Sequence, residues 1–233
     1  MVSPKVEDYL KTIYDLQDDT RVAPSAVATA MGVEPPTVTA MLQRLHTDGF
    51  VDYEPYQGVR LTTSGEQRAL KAVRHHRLLE LFLTEQFGYD WSDVHDEAAV
   101  LEHYVSTKLE ARIATVLEYP TVDPHGAPIP TADLTVEHNP RRQPVPECNA
   151  GDIVVVSEVR DSSPAVLDYL TRAGVTFGTR VEVTEIAPIG MITLEVSNTG
   201  ERFSLPAEPA PNIFVSQCNE HSNSEPGQFS EAR

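Results

Sequence analysis

Cysteine is nearly absent from this chain of 233 residues: Cys148 and Cys218 are its only two, and they form no CxxC pair. That scarcity excludes a thiolate metal cluster and a disulfide-stapled secreted fold. Long hydrophobic runs are missing as well. No stretch approaches the roughly 18 apolar residues that a membrane span needs, and the opening MVSPKVEDYLKTIYDL carries acids too early for a secretory leader. A soluble, cytoplasmic protein without a membrane partner is expected. No HExxH, nucleophile elbow or phosphate loop occurs, so an enzyme and a small-molecule substrate have no motif behind them.

Lysine is also scarce, with Lys5, Lys11, Lys71 and Lys108 set against 14 arginines. Acid is what the chain has in excess: 35 Asp and Glu against 18 Lys and Arg, for a net charge of −17. A low-lysine, acid-rich surface resembles that of proteins from high-salt cytoplasms, where screening tolerates self-repulsion. The acidity is uneven. Residues 1–72 carry 10 acids and 7 bases, a net of −3, so the remainder holds most of the excess. Nucleic-acid affinity comes largely from neutralising phosphates, which makes the first segment the only one suited to it.

The first segment has a definite pattern. PKVEDYLKTIYDLQD (4–18) spaces Val6, Tyr9, Leu10 and Ile13 as one face of a helix. PSAVATAMG gives a short second helix closed by Gly32, and a third is expected from Thr37 to about Thr47, burying Val38, Met41, Leu42 and Leu45. FVDYEPYQGVRLTTSG alternates and breaks at Pro55 and Gly58, as a hairpin does. Thr63 and Ser64 are placed to cap a long helix running to Gly88. Helix, helix, turn, helix and hairpin make a winged helix-turn-helix, whose recognition helix enters the major groove of double-stranded DNA. Pro36, Thr37, Thr39, Ala40, Gln43 and Arg44 are the candidate contacts on that helix, with Tyr53, Tyr56, Gln57 and Arg60 in the wing.

Residues 91–118 read as one or two further helices, and the proline-rich stretch from Pro120 to Pro146 as a wandering loop. From Gly151 the pattern turns to short strands (DIVVVSEV, TRVEVTEIA, MITLEVSN, ERFSLP) around one helix, which fits a small antiparallel barrel. The fold class is therefore mainly α with a small β domain. The expected boundaries are 1–72 for the winged helix, 73–140 for a helical domain, 141–150 for a linker, 151–216 for the small β domain and 217–233 for a disordered tail.

Three histidines carry the chemistry. His76 and Glu80 stand four apart on the long helix and so share a face; His95 opens the next helix; Glu102 and His103 follow two turns later. Asp8 of the first helix can add a carboxylate. Nitrogen and oxygen donors without thiolate favour Mn²⁺ or Fe²⁺. His46, His75, His125, His138 and His221 read as surface or structural residues, and Arg77 as a candidate anion holder beside His76.

VEDYLKTIYDL, PPTVTAMLQRLHTDGFV, LTTSGEQRA, HHRLLELFL, VHDEAAVLEHYVS and PHGAPIP together resemble the diphtheria toxin repressor family of iron- and manganese-dependent transcriptional regulators. The likeness runs from residue 6 to about 130, and the β segment resembles the family's optional SH3-like or FeoA-like domain. It implies two metal sites per subunit: His76, Glu80 and His95 in one, Asp8, Glu102 and His103 in the other, with Asp161 as a contribution of the β domain to the first. It also implies a homodimer on a palindromic operator that represses metal-uptake genes when Mn²⁺ or Fe²⁺ is bound. Asp8 resembles the manganese-responsive branch. Two departures stand out. Ala99 occupies a position where relatives place a Cys or Glu ligand, which leaves the second site with fewer side-chain donors, and Lys11 replaces an acid found in some manganese regulators. The competing readings are a winged-helix protein that binds DNA without metal and, further off, a metal-dependent hydrolase.

Overall fold

The computed structural model describes residues 2–17, 20–137, 142–160, 164–207 and 213–217. The chain divides into two compact units, Met1–His138 and Asn139–Arg233.

The first unit opens with α1 (Pro4–Leu16), which buries Val6, Tyr9, Leu10 and Ile13 at the expected helical spacing. It ends two residues short of the expected limit because Gln17 is extended. α2 (Pro24–Met31) stops at Gly32, whose φ of 62° is the left-handed closure glycine allows. α3 (Pro35–Thr47) starts two residues before the expected Thr37, since a proline preset near helical φ suits the first turn. Its Val38, Leu42 and Leu45 join the α1 face in one core.

The strands β1 (Val51–Glu54) and β2 (Gly58–Leu61) pair antiparallel as the wing. Tyr56 at its tip has a φ of 67° and is fully exposed. Gly58 is required: a Cβ there would stand 2.6 Å from the Val22 carbonyl, and the Val22–Val59 bridge ties the wing to the segment before α2. The long helix α4 (Thr63–Phe87) is capped by Thr62, one residue earlier than expected, whose Oγ1 accepts from the Gly65 amide at 3.2 Å. Its 25 residues reach about 37 Å at 1.5 Å per residue. Ala69 lies in the winged-helix core and Leu78 and Leu79 in a second one, so a single helix links the two.

That second core is completed by α5 (Val94–Leu101), a 3-10 turn at Glu102–Tyr104 and α6 (Thr107–Val116). The proline-rich loop after α6 is organised locally. Asp123 Oδ1 accepts the backbone amides of His125 (2.8 Å) and Ala127 (2.9 Å), and Arg77 donates to the Pro128 carbonyl at 2.5 Å. Arg77 is therefore engaged by this loop, where the sequence suggested an anion.

The second unit is an antiparallel sheet in the order β3-β8-β4-β5-β6-β7. Its strands are β3 (Arg142–Pro144), β4 (Ile153–Val159), β5 (Arg180–Ala187), β6 (Met191–Val196), β7 (Arg202–Pro206) and β8 (Ile213–Gln217), with α7 (Pro164–Arg172) between β4 and β5. Burial alternates along β6 and β7, as period-two side chains on a one-sided sheet must. Residues 142–144, expected within a linker, pair instead with β8 as an edge strand. β3 and β7 lie at the ends of the strand order, and each finishes on a proline that lacks an amide to extend the ladder. Asp161, Cys218, His138, His221 and the expected tail from 218 onward lie outside the described residues.

Candidate metal centres

α4 and α5 bring His76, Glu80 and His95 together, and α1 adds Asp8 to Glu102 and His103 of the 3-10 turn; within each group the donor atoms lie within 4.8 Å of one another. These are the two triads expected from the sequence. In the first, His76 Nε2 is 2.9 Å from Glu80 Oε1 and 3.1 Å from His95 Nδ1, and His95 Nδ1 is 3.1 Å from Glu80 Oε1. Donors at right angles about 2.1 Å from an ion stand about 3 Å apart, so this near-equilateral triangle fits one face of an octahedron. Mn²⁺ or Fe²⁺ fits the donor set.

Electrostatics favour a cation here. Burial alone would raise the Glu80 carboxyl, but His76, with His95 and His125 behind it, holds it far below the usual carboxylate range. Burial works against a charged His76, yet Glu80 on one nitrogen and Glu102 on the other raise it above the ordinary histidine value. His76 Nδ1 donates to Glu102 Oε2 at 2.5 Å, which directs Nε2 at Glu80 and His95. An ion would take the place of the Nε2 proton.

The second triad is looser. His103 Nε2 is 3.1 Å from Asp8 Oδ1 and 3.9 Å from Glu102 Oε1. Its Nδ1 donates to Glu7 Oε2 at 2.8 Å, the same device that Glu102 provides for His76. Partial burial raises the Asp8 carboxyl, with Glu102 and Glu7 adding repulsion against the pull of His103 and Lys11. Lys11 Nζ donates to Glu102 Oε2 at 2.8 Å. Glu102 itself is desolvated, but its bonds to His76 and Lys11 keep it ionised below the usual range.

Three residues near the centres had no signal in the sequence strong enough to select them. Glu7 is one, hidden as a first-turn acid. His125, taken as surface or structural, is buried, stacks on Trp91 with ring centroids 5.0 Å apart, and stands 3.9 Å from Glu80 Oε1. Burial lowers its pKa against the pull of Glu80, which its Nε2 faces. Asp123 beside it is the third: burial and the charge of Glu80 push its carboxyl up to about 7. Both lie in the proline-rich loop, where no periodicity marks a facing side. His75 by contrast is used on both nitrogens, by the Glu102 carbonyl and Glu110 Oε2, each at 3.0 Å, and His46 Nδ1 accepts from the Tyr53 amide of the wing at 3.1 Å.

On α3, Pro36, Thr37, Ala40, Gln43 and Arg44 are exposed on the side opposite the core, and Thr39 is half-buried with its hydroxyl bonded to the Pro35 carbonyl. In the wing, Tyr56, Gln57 and Arg60 are exposed, while Tyr53 packs on the core. The arginines have acidic partners: Arg44 is 3.7 Å from Asp48, Arg60 3.4 Å from Asp52, and the less exposed Arg21 clamps Asp52 and Glu54.

The same segments match known families in order. Residues 1–59 match the iron-dependent repressor N-terminal DNA-binding domain, 62–131 the iron-dependent repressor metal-binding and dimerisation domain, and 143–217 the FeoA domain. The chain is 34% identical over 222 residues to the iron-dependent repressor IdeR of Mycobacterium tuberculosis, covering 90% of this chain and 95% of that one. The chain belongs to the iron-dependent repressor family. Membership makes it a metal-dependent, DNA-binding transcriptional repressor and not an enzyme. Over 189 residues it is 33% identical to the diphtheria toxin repressor of Corynebacterium efficiens, covering 76% of this chain and 81% of the relative. A solved manganese-dependent transcriptional repressor in complex with manganese superposes with a TM-score of 0.84 at 37% identity, covering 91% of this chain and all of that one.

Proposed function

We propose that the protein is a cytoplasmic homodimer that binds a palindromic operator when Mn²⁺ or Fe²⁺ occupies the His76–Glu80–His95 and Asp8–Glu102–His103 triads, and that it represses metal-uptake genes. The observation that carries this reading is the placement of the second triad. Asp8 sits on α1, whose other face is the core of the winged helix, whereas Glu102 and His103 sit beside α4 and α5. An ion shared among them would fix the winged helix against the helical core and so set the spacing of two recognition helices. Such an ion supplies a positive charge that holds several carboxylates and imidazoles in one geometry. His76 and His103 are pre-aimed by Glu102 and Glu7, and Glu80 keeps its charge despite burial.

Other features agree. Phe87, Val100, Tyr104, Leu109, Val116 and Tyr119 are large apolar side chains left exposed around the second core, a surface suited to a second copy. Pro36, Thr37, Thr39, Ala40, Gln43, Arg44, Tyr56 and Arg60 form the DNA-facing set. Arg44 and Arg60 must exchange Asp48 and Asp52 for phosphates, which moderates affinity and its salt dependence. Asp161 remains a proposed donor from the β domain.

The test is selection of binding duplexes from a random pool with Mn²⁺, followed by fluorescence anisotropy of the selected duplex. Affinity should fall at least about tenfold when a chelator replaces Mn²⁺, the size of an ordinary allosteric coupling. Equal affinity in chelator would show a winged-helix protein that is not gated by metal.

A further inference from the structure

Lys11 lies on α1 three residues after Asp8, and its ammonium points into the second triad. Nζ is 2.8 Å from Glu102 Oε2, an oxygen that also accepts from His76 Nδ1 at 2.5 Å. The Glu102 side chain is only 2% exposed, so both charged donors meet the carboxylate away from bulk water. With Oε2 doubly engaged, the oxygen paired with His103 is Oε1, at 3.9 Å from Nε2.

We propose that Lys11 is a built-in cation of this cluster. It ties α1 to the 3-10 turn before any ion arrives, and it weakens the Asp8–Glu102–His103 site for a divalent cation. The inference rests on the metal reading above. Its physical content is a competition. A fixed positive charge a few ångströms from the binding point repels an incoming ion, and it has already taken one of the two oxygens of the best-buried ligand. Glu7, Asp8 and Glu102 bring three negative charges, of which Lys11 cancels one. Among the described residues, no lysine or arginine makes such a contact with His76, Glu80 or His95. The two sites should therefore fill in sequence, the first at low Mn²⁺ and the second only at higher Mn²⁺, with α1 already held part-way by Lys11.

Calorimetric titration of the full chain with Mn²⁺ decides the matter, comparing wild type with Lys11→Gln, Lys11→Arg and the double variant Lys11→Gln/His103→Ala. Lys11→Gln should tighten the second binding step at least about tenfold and change the first far less, because the ammonium meets Glu102 directly and His76 only through it. Lys11→Arg should keep the weak second step. The gain should vanish when His103→Ala is added. In chelator, hydrogen exchange of the α1 amides should be faster in Lys11→Gln than in wild type, as the tether is gone. A residue that merely props up the fold would give the opposite sign, a second step weakened along with α1. An unchanged or weaker second step in Lys11→Gln, or a gain that survives His103→Ala, overturns the proposal while the metal reading stands. A wild-type chain that takes up no Mn²⁺ overturns the metal reading itself, and this inference with it.

Discussion

The two triads share a plan and differ in what stands in for the ion. In each, one histidine gives Nδ1 to a carboxylate, His76 to Glu102 and His103 to Glu7, and turns Nε2 toward the ligands. The first triad is compact, with edges of 2.9 to 3.1 Å and a Glu80 that is almost wholly buried. The second opens to 3.9 Å on one edge, and its Asp8 is 44% exposed. In the first, the competitor for the ion is a proton, free to leave for solvent. In the second it is an ammonium on a four-carbon tether, which stays. The donor sets differ too, two imidazoles and one carboxylate in the first against one imidazole and two carboxylates in the second.

The sharpest way to break the comparison is Glu80→Gln. Glu80 is the buried charge about which His76, His95 and His125 gather, so its loss removes the reason for all three to converge. The first Mn²⁺-binding step should weaken at least about a hundredfold, beyond what loss of an outer partner usually costs. The second step should weaken far less. Calorimetry resolves the two, and equal losses in both would mean that the triads act as one site.

Much of this was legible because helices repeat. The i, i+4 spacing of His76 and Glu80, and the closeness of Asp8, Glu102 and His103 to helix ends, follow from 3.6 residues per turn once the helices are recognised. The elements of the winged helix were equally readable, and Gly32 closes α2 where expected, while α3 begins two residues before the expected Thr37 and the cap of α4 is Thr62, one before Thr63. His125 and Asp123 were not. They lie in a loop without periodicity, and their approach to Glu80 depends on Arg77 and on amides that receive the Asp123 carboxylate, contacts that no spacing rule encodes. β3 was missed for a related reason: three residues between prolines give too little alternation to mark a strand. Glu7 is a first-turn acid, and no spacing rule joins it to His103. Lys11 was legible only as the replacement of an acid, because a lysine on a helix is usually a solvated charge and its contact with Glu102 is not encoded in spacing.

Protons sharpen the comparison next. His76 is raised in the metal-free fold, so its charged form contributes stability that is complete below the ordinary histidine pKa and is lost as pH rises through the raised value. Mn²⁺ needs that same nitrogen deprotonated, so first-step affinity should climb as pH rises across this window, by up to about tenfold per unit for one displaced proton. Melting temperatures in Mn²⁺ and in chelator should therefore diverge as pH rises from the ordinary histidine value through the raised one. A gap that stays constant would mean that His76 does not bind through the nitrogen now protonated.

The smallest expected effect concerns Ala99. It sits on α5 one turn before Glu102, and the backbone stays helical through Leu101 and Glu102, so a longer side chain at 99 lies on the Glu102 side of the helix. Ala99→Glu adds a carboxylate to the open triad without touching the closed one. The second Mn²⁺ step should tighten by about three- to tenfold, less than with Lys11→Gln, because the new ligand must still contend with the ammonium on Glu102. Combining Ala99→Glu with Lys11→Gln should give a gain at least as large as the two separate gains multiplied, since a fourth ligand is worth most once the competing charge is gone. Calorimetry on the four chains measures this directly. A combined gain smaller than that product would mean that the new glutamate is claimed by Lys11 in place of Glu102, and that the weakness of the second site lies in its charge and not in its missing ligand.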